Sequence, residues 1–443
     1  MKLIKHIIPV YIGNSKWFLV NSLNGTVDKV GLQIYEIIQK WQGDEEIIAE
    51  NEIEVTLYES LKARGYLTNS FDEEMQQKSQ MVSRLREIHN KKNATCNHMT
   101  FIMTYNCNFR CPYCFEGENT LKKEVMSPAQ IDAALDMAGE HLKSVGLFGG
   151  EPLLPSNRTS LEYLISRTKD KTFNITTNGY YLEEFFDLLS PLNFSSIMVT
   201  LDGDEDTHNS RRFLANGKPT FSKIMKGIGK YLENDIPICI RMNLDKSNIN
   251  EATKLRKSLI DRFYNHKDLL TFELGTLFGA SNQEKTNIVA KIFNEDKVFS
   301  PEERQKRNRL VCCNSSIVNF ISVGAKPKPA YSFCYANSST FLVDPYGDIY
   351  TCLISLGTQD LAVGKYLPKI EFKENSILTR NIETIPECKE CIYSMLCGGG
   401  CPLSLGSYEN VWRPECFSIK NQMHNLLPRL YAINEEAEGV ASL

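Results

Sequence analysis

Cys107-Asn108-Phe109-Arg110-Cys111-Pro112-Tyr113-Cys114 is the stretch whose reading decides the fold. It sets three cysteines at the spacing C-x3-C-x2-C, with an aromatic residue immediately before the third. Thiolates hold the iron of iron–sulfur clusters, and a cubane takes four of them. Three local thiols leave one iron without a protein ligand, and such an iron can coordinate a substrate or cofactor. The apolar run Met99 to Tyr105 precedes the loop and reads as a strand, so the thiols stand at that strand's C-terminal end. The alternatives at this point are three structural thiols or a zinc site short of one ligand.

A chain of 443 residues, 42% hydrophobic and 23% charged, describes a globular protein of two or three domains. A net charge of -4 gives no reason to expect a nucleic-acid partner. No run approaches the ~20 apolar residues that span a bilayer, so no membrane association is expected. Met1 to Val10, interrupted by Lys2, Lys5 and His6, is a poor signal peptide. The expected location is cytoplasmic, where 14 cysteines argue for metal rather than disulfides. All but Cys96 and Cys239 fall in the opening loop or after residue 310, which is how ligands cluster. Cys96 has no assignable role.

From Met99 to about Phe278, strand and helix patterns alternate. The expected strands are Thr100–Tyr105, Ser144–Phe148, Phe173–Thr177, Ile197–Leu201, Ile238–Leu244 and Leu269–Leu274. Helices fall between them; Ser127-Pro128 opens one over Ser127–Leu142. Six strand–helix units make a parallel α/β domain, with chemistry expected at the C-terminal ends of its strands. Gly149-Gly150-Glu151-Pro152 follows the second strand and Thr176-Thr177-Asn178-Gly179 ends the third. Glycines admit close backbone approach, and Glu151 offers a negative neighbour to an ammonium. Taken singly, each of these segments is an ordinary turn. Thr200-Leu201-Asp202-Gly203 ends the fourth strand, with His208 and Arg212 beyond it. Alternation puts Met198, Thr200 and Asp202 on one face, then Cys239, Arg241 and Asn243 on the fifth strand and Thr271, Glu273 and Gly275 on the sixth. Facing a lumen, Arg241 would suit a carboxylate; facing outward, it would only pack against helices. Glu273 is the candidate catalytic group on the substrate side.

Residues 279–333 are polar, with a helix expected around Pro301–Leu310, and bring Cys312-Cys313. Then come Cys334, Gly347 with Cys352 at G-x4-C, Cys388-x2-Cys391-x5-Cys397-x3-Cys401 and Cys416. Leu426, Leu427, Leu430 and Ile433 mark a closing helix. At the other end, residues 1–70 read as a small α+β unit with strands Ile7–Ile12 and Lys16–Val20 and helices Val30–Trp41 and Val55–Arg64. The pattern is winged-helix-like, which taken alone suggests DNA binding, yet Glu45, Glu46, Glu50, Glu52 and Glu54 crowd its middle. Residues 71–98 read as a polar linker or bridging helix.

The loop and the strand-end motifs together resemble the radical S-adenosylmethionine (SAM) enzymes, with Tyr113 at the family's aromatic position. The cysteine order from Cys334 onward resembles the SPASM extension of their peptide-maturing members at every cysteine. The resemblance implies a partial (β/α)6 barrel over residues 99–310. A winged-helix-like leader-peptide recognition domain over 1–70 would precede it, joined by 71–98. An iron–sulfur SPASM domain with a C-terminal helix would follow over 311–443. It implies SAM and three [4Fe–4S] clusters. Cys107, Cys111 and Cys114 would hold the first, and Cys388, Cys391, Cys397 and Cys416 an outer auxiliary one. Cys334, Cys352 and Cys401 would hold an inner one, completed by Cys313, by Cys312 or by neither. The implied SAM contacts are Tyr113, Gly149, Gly150, Glu151, Pro152, Asn178, Thr200, Asp202 and Arg241. Thr200 replaces a serine and keeps its hydroxyl; Asn209 replaces an aspartate and lacks its acid–base capacity. The implied reaction takes an electron from a flavodoxin or ferredoxin, cleaves SAM to a 5′-deoxyadenosyl radical and removes a hydrogen atom from a ribosomal precursor peptide bearing a leader sequence. The implied product is an intramolecular crosslink, a thioether first among the options. One rival is a sulfatase-maturing enzyme that forms formylglycine, whose barrel would begin near the N-terminus. Another is an iron–sulfur DNA-binding regulator, which leaves the GGEP segment and the barrel idle.

Overall fold

A computed structural model describes residues 1–296, 308–310, 316, 319–321, 324–334, 336, 338–374, 377–405 and 412–441. The chain opens with β1 (Lys2–Leu3) and a three-stranded antiparallel sheet, β2 (Ile7–Gly13), β3 (Lys16–Asn21) and β4 (Val27–Gly31). Helices α1 (Leu32–Trp41) and α2 (Glu52–Ala63) follow, then β5 (Leu67–Thr68), which pairs with β1. Helix α2 starts three residues before its apolar pattern does, because the Asn51 side chain accepts from the Glu54 amide at 3.0 Å and caps it. Residues 71–98 are a helix rather than a linker over most of their length: α3 (Phe71–Lys92), capped by Ser70 on the Glu73 amide at 3.1 Å. The alternating residues Ile8, Val10 and Ile12 of β2 are buried with Met423, Leu426, Leu427 and Leu430 at the other end of the chain.

Among the described residues the frame is an eleven-stranded sheet. Six strands match the alternating pattern: β6 (His98–Ile102), β7 (Ser144–Phe148), β8 (Thr172–Thr177), β9 (Asn193–Thr200), β10 (Ile238–Leu244) and β11 (Leu270–Thr276), each parallel to its neighbour. Strand β6 ends three residues short of the expected Tyr105, because Thr104 leaves the ladder to bridge Val125. A seventh parallel strand, β12 (Asn308–Leu310), pairs with β11 in register Phe272↔Asn308. This corrects the helix expected over Pro301–Leu310: its last three residues are strand, recruited by the open edge of β11, and 301–307 lie outside the described residues. At the opposite edge β13 (Thr340–Val343) runs parallel to β6, followed by antiparallel β14 (Asp348–Tyr350), β15 (Gly364–Lys365) and β16 (Glu371–Phe372). The expected six-unit sheet is thus extended on both sides.

The helices between the strands are α4 (Pro128–Ala138), α5 (Arg158–Thr168), α6 (Phe186–Leu189), α7 (Glu205–Arg211), α8 (Phe221–Leu232), α9 (Ile249–Arg262) and, after β11, α10 (Asn282–Asp296). One sheet face packs on them: Val145, Leu147, Phe173, Ile175, Ile197, Val199, Ile240, Met242 and Phe272 share a core with Ile131, Leu161, Ile224, Ile228, Leu255 and Leu259. Each such large side chain contributes about 1.5–3 kcal/mol by leaving water. Alternation then sends Thr100, Asn174, Thr200, Cys239, Arg241 and Glu273 to the face away from these helices. Among the described residues no helix is long and apolar enough to cross a membrane.

Ile240 is fully buried on the helix-packed face. Ile240→Ala should cost about 2–5 kcal/mol in urea denaturation; an unchanged midpoint would show that this face is not packed.

Candidate active site

The loop after β6 is clipped on two sides. Phe109 bridges Leu214, the Arg110 amide donates to the Phe213 carbonyl at 3.0 Å, and the Ala215 amide donates to the Asn108 carbonyl at 2.8 Å. On the other side lies the glycine pair that ends β7, with φ of 89° at Gly149 and 24° at Gly150. A Cβ on Gly150 would stand 2.1 Å from the Asn106 carbonyl oxygen and 2.3 Å from that of Tyr105. One on Gly149 would stand 2.3 Å from Ile102 Cγ2. The strand end therefore lies directly on the stem of the cysteine loop, and any side chain here would displace that loop. The Glu151 amide completes the contact by donating to the Asn106 carbonyl at 2.9 Å.

Glu151 itself is fully buried and its carboxylate is turned inward. One oxygen accepts from the Thr177 hydroxyl at 2.6 Å and the Leu153 amide at 2.9 Å, the other from the Asn178 amide at 2.7 Å. It knots the end of β7 to the end of β8, and burial pushes its pKa up to about 6. The Pro152 carbonyl accepts from Asn157 at 3.0 Å. Asn178 reaches the loop: its Nδ2 donates to Asn108 Oδ1 at 2.8 Å and lies 3.9 Å from Cys107 Sγ. A second carboxylate, not anticipated, stands beside the glycines. Glu116 Oε2 accepts from the Gly150 amide at 2.8 Å, and its buried Oε1 has no hydrogen-bond partner among the described residues. Burial pushes its pKa up to about 7. Its position two residues after Cys114 was the only sign of it in the sequence.

Tyr113 is anchored at its hydroxyl, which donates to Asp202 and accepts from Arg212 Nη1 at 2.9 Å. Asp202 is fully buried and also accepts from Arg211 Nε and the Asn243 amide, each at 3.2 Å. Burial works against the charge of Arg212, but Cys111, Tyr113 and Asp202 hold it above its ordinary range. His208 is buried between the Asp202 amide, at 3.4 Å, and the Thr220 hydroxyl, at 3.1 Å, and burial holds it neutral. Asn209 accepts from the Thr220 and Phe221 amides at the start of α8. On the face away from the helices, Thr200, Arg241 and Glu273 are in register across three strands. Arg241 Nη1 donates to Glu273 Oε1 at 2.5 Å and its Nε to Asn243 Oδ1 at 3.1 Å. The candidate catalytic carboxylate and the candidate SAM contact are thus paired with each other.

The C-terminal thiols fall into two groups. Burial pushes Cys388 up to about 12, and Cys391 and Cys416 beside it add to the effect. Cys397 is raised to about 12 by burial and by Cys388 and Cys416. Separately, burial with Cys334 and Cys401 nearby raises Cys352 to about 12. Gly398, Gly399 and Gly400, with φ of 66°, 90° and 72°, carry the chain from one group to the other. A Cβ on Gly398 would stand 2.4 Å from the Ser332 carbonyl carbon, and one on Gly400 2.1 Å from the Glu415 carbonyl oxygen. Cys312 and Cys313 lie outside the described residues. Cys96 is buried apart, its thiol 3.4 Å from the His98 carbonyl.

Among the described residues no three His, Cys, Asp or Glu close on a single metal ion. At the first loop, three thiols, the glycine cradle and the buried Arg212 Nε, Asn108 Nδ2 and Glu116 Oε1, which have no hydrogen-bond partner among the described residues, fit a bound polar group.

Residues 101–257, which hold this loop and the strand ends around it, match the Radical SAM superfamily. The chain is 27% identical over 156 residues to the sporulation killing factor maturation protein SkfB of Bacillus subtilis, a match covering 35% of this chain and 37% of that one. It thus spans well under half the length of that relative. It is 24% identical to the cysteine-type anaerobic sulfatase-maturating enzyme of Clostridium perfringens, over 73% of this chain and 94% of that one. In fold it is similar to Streptococcus suis SuiB bound to the precursor peptide SuiA, with a TM-score of 0.55 at 14% identity, over 94% of this chain and 99% of that one.

Asp344, in the turn after β13, braces the loop stem from behind. It accepts from the Tyr105 hydroxyl at 2.9 Å and from the Tyr346 and Asp348 amides at 2.9 and 3.0 Å. Burial raises its pKa from 3.8 to about 6. A carboxyl raised on folding contributes stability that is full below its unfolded pKa and is lost as pH rises through the folded one. The metal-free protein should therefore lose on the order of 3 kcal/mol from this group between pH ~4 and ~6. Asp344→Asn should flatten that part of the curve in urea denaturation at stepped pH; an unaltered slope would refute the assignment.

Proposed function

We propose that this chain is a radical SAM maturase acting on a ribosomal precursor peptide. The single observation that carries the reading is the convergence of the Cys107 loop, the Gly149-Gly150 cradle and Asn178 at one end of a parallel sheet. In this reading Cys107, Cys111 and Cys114 would hold a [4Fe–4S] cluster, with SAM bound beside it. When bound, that pair supplies, with an electron from a flavodoxin or ferredoxin, a radical able to remove a hydrogen atom. The chain's own residues position and enclose it. Gly149 and Gly150 keep the loop stem close, Glu151 locks two strand ends, and the Tyr113–Asp202–Arg212 chain fixes the loop's aromatic. Arg241, Thr200 and Glu273 line the sheet face on which a substrate would lie. Cys388, Cys391, Cys397 and Cys416 hold an outer auxiliary cluster; Cys334, Cys352 and Cys401, with Cys313 or an open site, hold an inner one. The product is an intramolecular crosslink, a thioether if the open site takes a substrate thiolate.

Peptide capture falls to residues 1–70. A groove there is lined by Ile7, Pro9, Leu19, Tyr35, Ile38 and Gln39, beside strand β2, which among the described residues pairs on one side only. An extended leader could add to such an edge. The fold likeness to SuiB, over 94% of the chain, supports a peptide-binding role for this unit. A second reading, formylglycine formation on a sulfatase, is favoured by the likeness to the Clostridium perfringens enzyme over 73% of the chain. Product mass separates them: a crosslink within a precursor peptide, or a Cys-to-formylglycine change in a sulfatase-derived peptide.

Anaerobic reconstitution should give about twelve irons per chain. Replacing Cys107, Cys111 and Cys114 together by Ala should remove about four of them and abolish 5′-deoxyadenosine formation; retained SAM cleavage would overturn the reading. Tyr35→Ala with Gln39→Ala should weaken binding of the precursor peptide about tenfold, or ~1.4 kcal/mol, while uncoupled SAM cleavage persists. Unchanged peptide affinity would move recognition away from this groove.

A further inference from the structure

Two positively charged side chains are buried among the C-terminal thiols. Arg380 is 4% exposed. Its Nη1 donates to the Gly400 carbonyl at 2.6 Å, and its Nη2 to the Gly399 and Arg413 carbonyls at 2.7 and 2.9 Å. Gly399 and Gly400 are the links between Cys397, of the outer group, and Cys401, of the inner one. The guanidinium therefore sits at the junction of the two groups: burial works against its charge, while Cys388, Cys401, Cys397 and Cys334 favour it. Lys78 comes from α3, far away in sequence, and is also 4% exposed. Its Nζ donates to the Lys389 carbonyl at 2.6 Å and the Cys391 carbonyl at 3.4 Å. Burial works against its charge, while Cys391 and Cys388, both of the outer group, favour it, and Glu74 and Glu390 act in the same sense.

Burying a cation is costly, and hydrogen bonds to carbonyls only partly offset the cost. Its field in such an interior reaches much farther than in water. A cluster that takes up one electron gains one negative charge, with no bond made or broken, and a fixed neighbouring cation favours that form. Cluster potentials respond to local charge and hydrogen bonding. We infer that Arg380 and Lys78 are positioning residues that set the reduction potentials of the auxiliary clusters, Arg380 acting on both and Lys78 on the outer one alone. The inference rests on the cluster reading proposed above.

The test is an EPR-monitored redox titration of the reconstituted full chain with dithionite, after iron has been counted. Wild-type protein with only about four irons would overturn the auxiliary clusters themselves, and the inference with them. With clusters present, Lys78→Met, which keeps the stem and removes the charge, should make reduction of the outer cluster about tenfold less favourable, a shift of ~59 mV to the negative for one electron. The inner cluster and the Cys107-loop cluster should not move. Arg380→Gln should shift both auxiliary clusters, and Arg380→Lys should restore them; the Cys107-loop cluster is the internal standard throughout. Full iron with unmoved potentials in Lys78→Met overturns the inference, as does an equal shift of all three clusters. Lys78→Met alone decides the matter if Arg380→Gln fails to retain iron.

Discussion

The close approach of two backbones, at Gly149-Gly150 and at Tyr105-Asn106, is the constraint on which the rest of the site depends. No side chain fits between them. The loop that carries three thiols therefore takes its position from the end of the second parallel strand. The carboxylate of Glu151 passes the constraint on to the third strand through Thr177 and Asn178. Tyr113 passes it to the fourth through Asp202, and the Asn243 amide extends it to the fifth. Four strand ends are thereby tied to one loop by groups that are nearly all buried. A site of this kind is rigid because its links are a close backbone contact and hydrogen bonds in a place where water cannot substitute for a lost partner.

Motifs defined by neighbours in sequence were readable in advance. The cysteine loop, the glycine pair and the asparagine turn lie where strand alternation put them, and two of the six strands were bounded to the residue. The face of Arg241 was left open by alternation alone. It is decided by Ile240 and Met242, whose packing on α8 and α9 sends Arg241 the other way. The role of Glu151 was less accessible. A carboxylate after two glycines reads equally as a ligand group or as an internal brace, and only the arrival of Thr177 and Asn178 from another strand distinguishes them.

Other features had no local signal. Strand β12 exists because the edge of β11 is there to pair with it, and three residues carry too little pattern to announce themselves. Lys78 and Arg380 sit in stretches whose polar composition suggests solvent. Their burial comes from contacts with segments far away along the chain. The grouping of the C-terminal thiols was accessible through resemblance rather than through periodicity. The glycines at 398–400 show its physical basis: a backbone path that only residues without a side chain can follow.

The shared core between β2 and the C-terminal helix has a consequence in time. Ile8, Val10 and Ile12 leave the ribosome about 400 residues ahead of Leu426, Leu427 and Leu430, which cover them. At ~5–20 residues per second the delay is on the order of tens of seconds. Throughout that interval the opening hairpin presents an apolar face with its final cover still to be synthesised. Until then only earlier-made members of the same core, such as Val289, Phe293 and Ile321, are available to cover it, so this core is completed last.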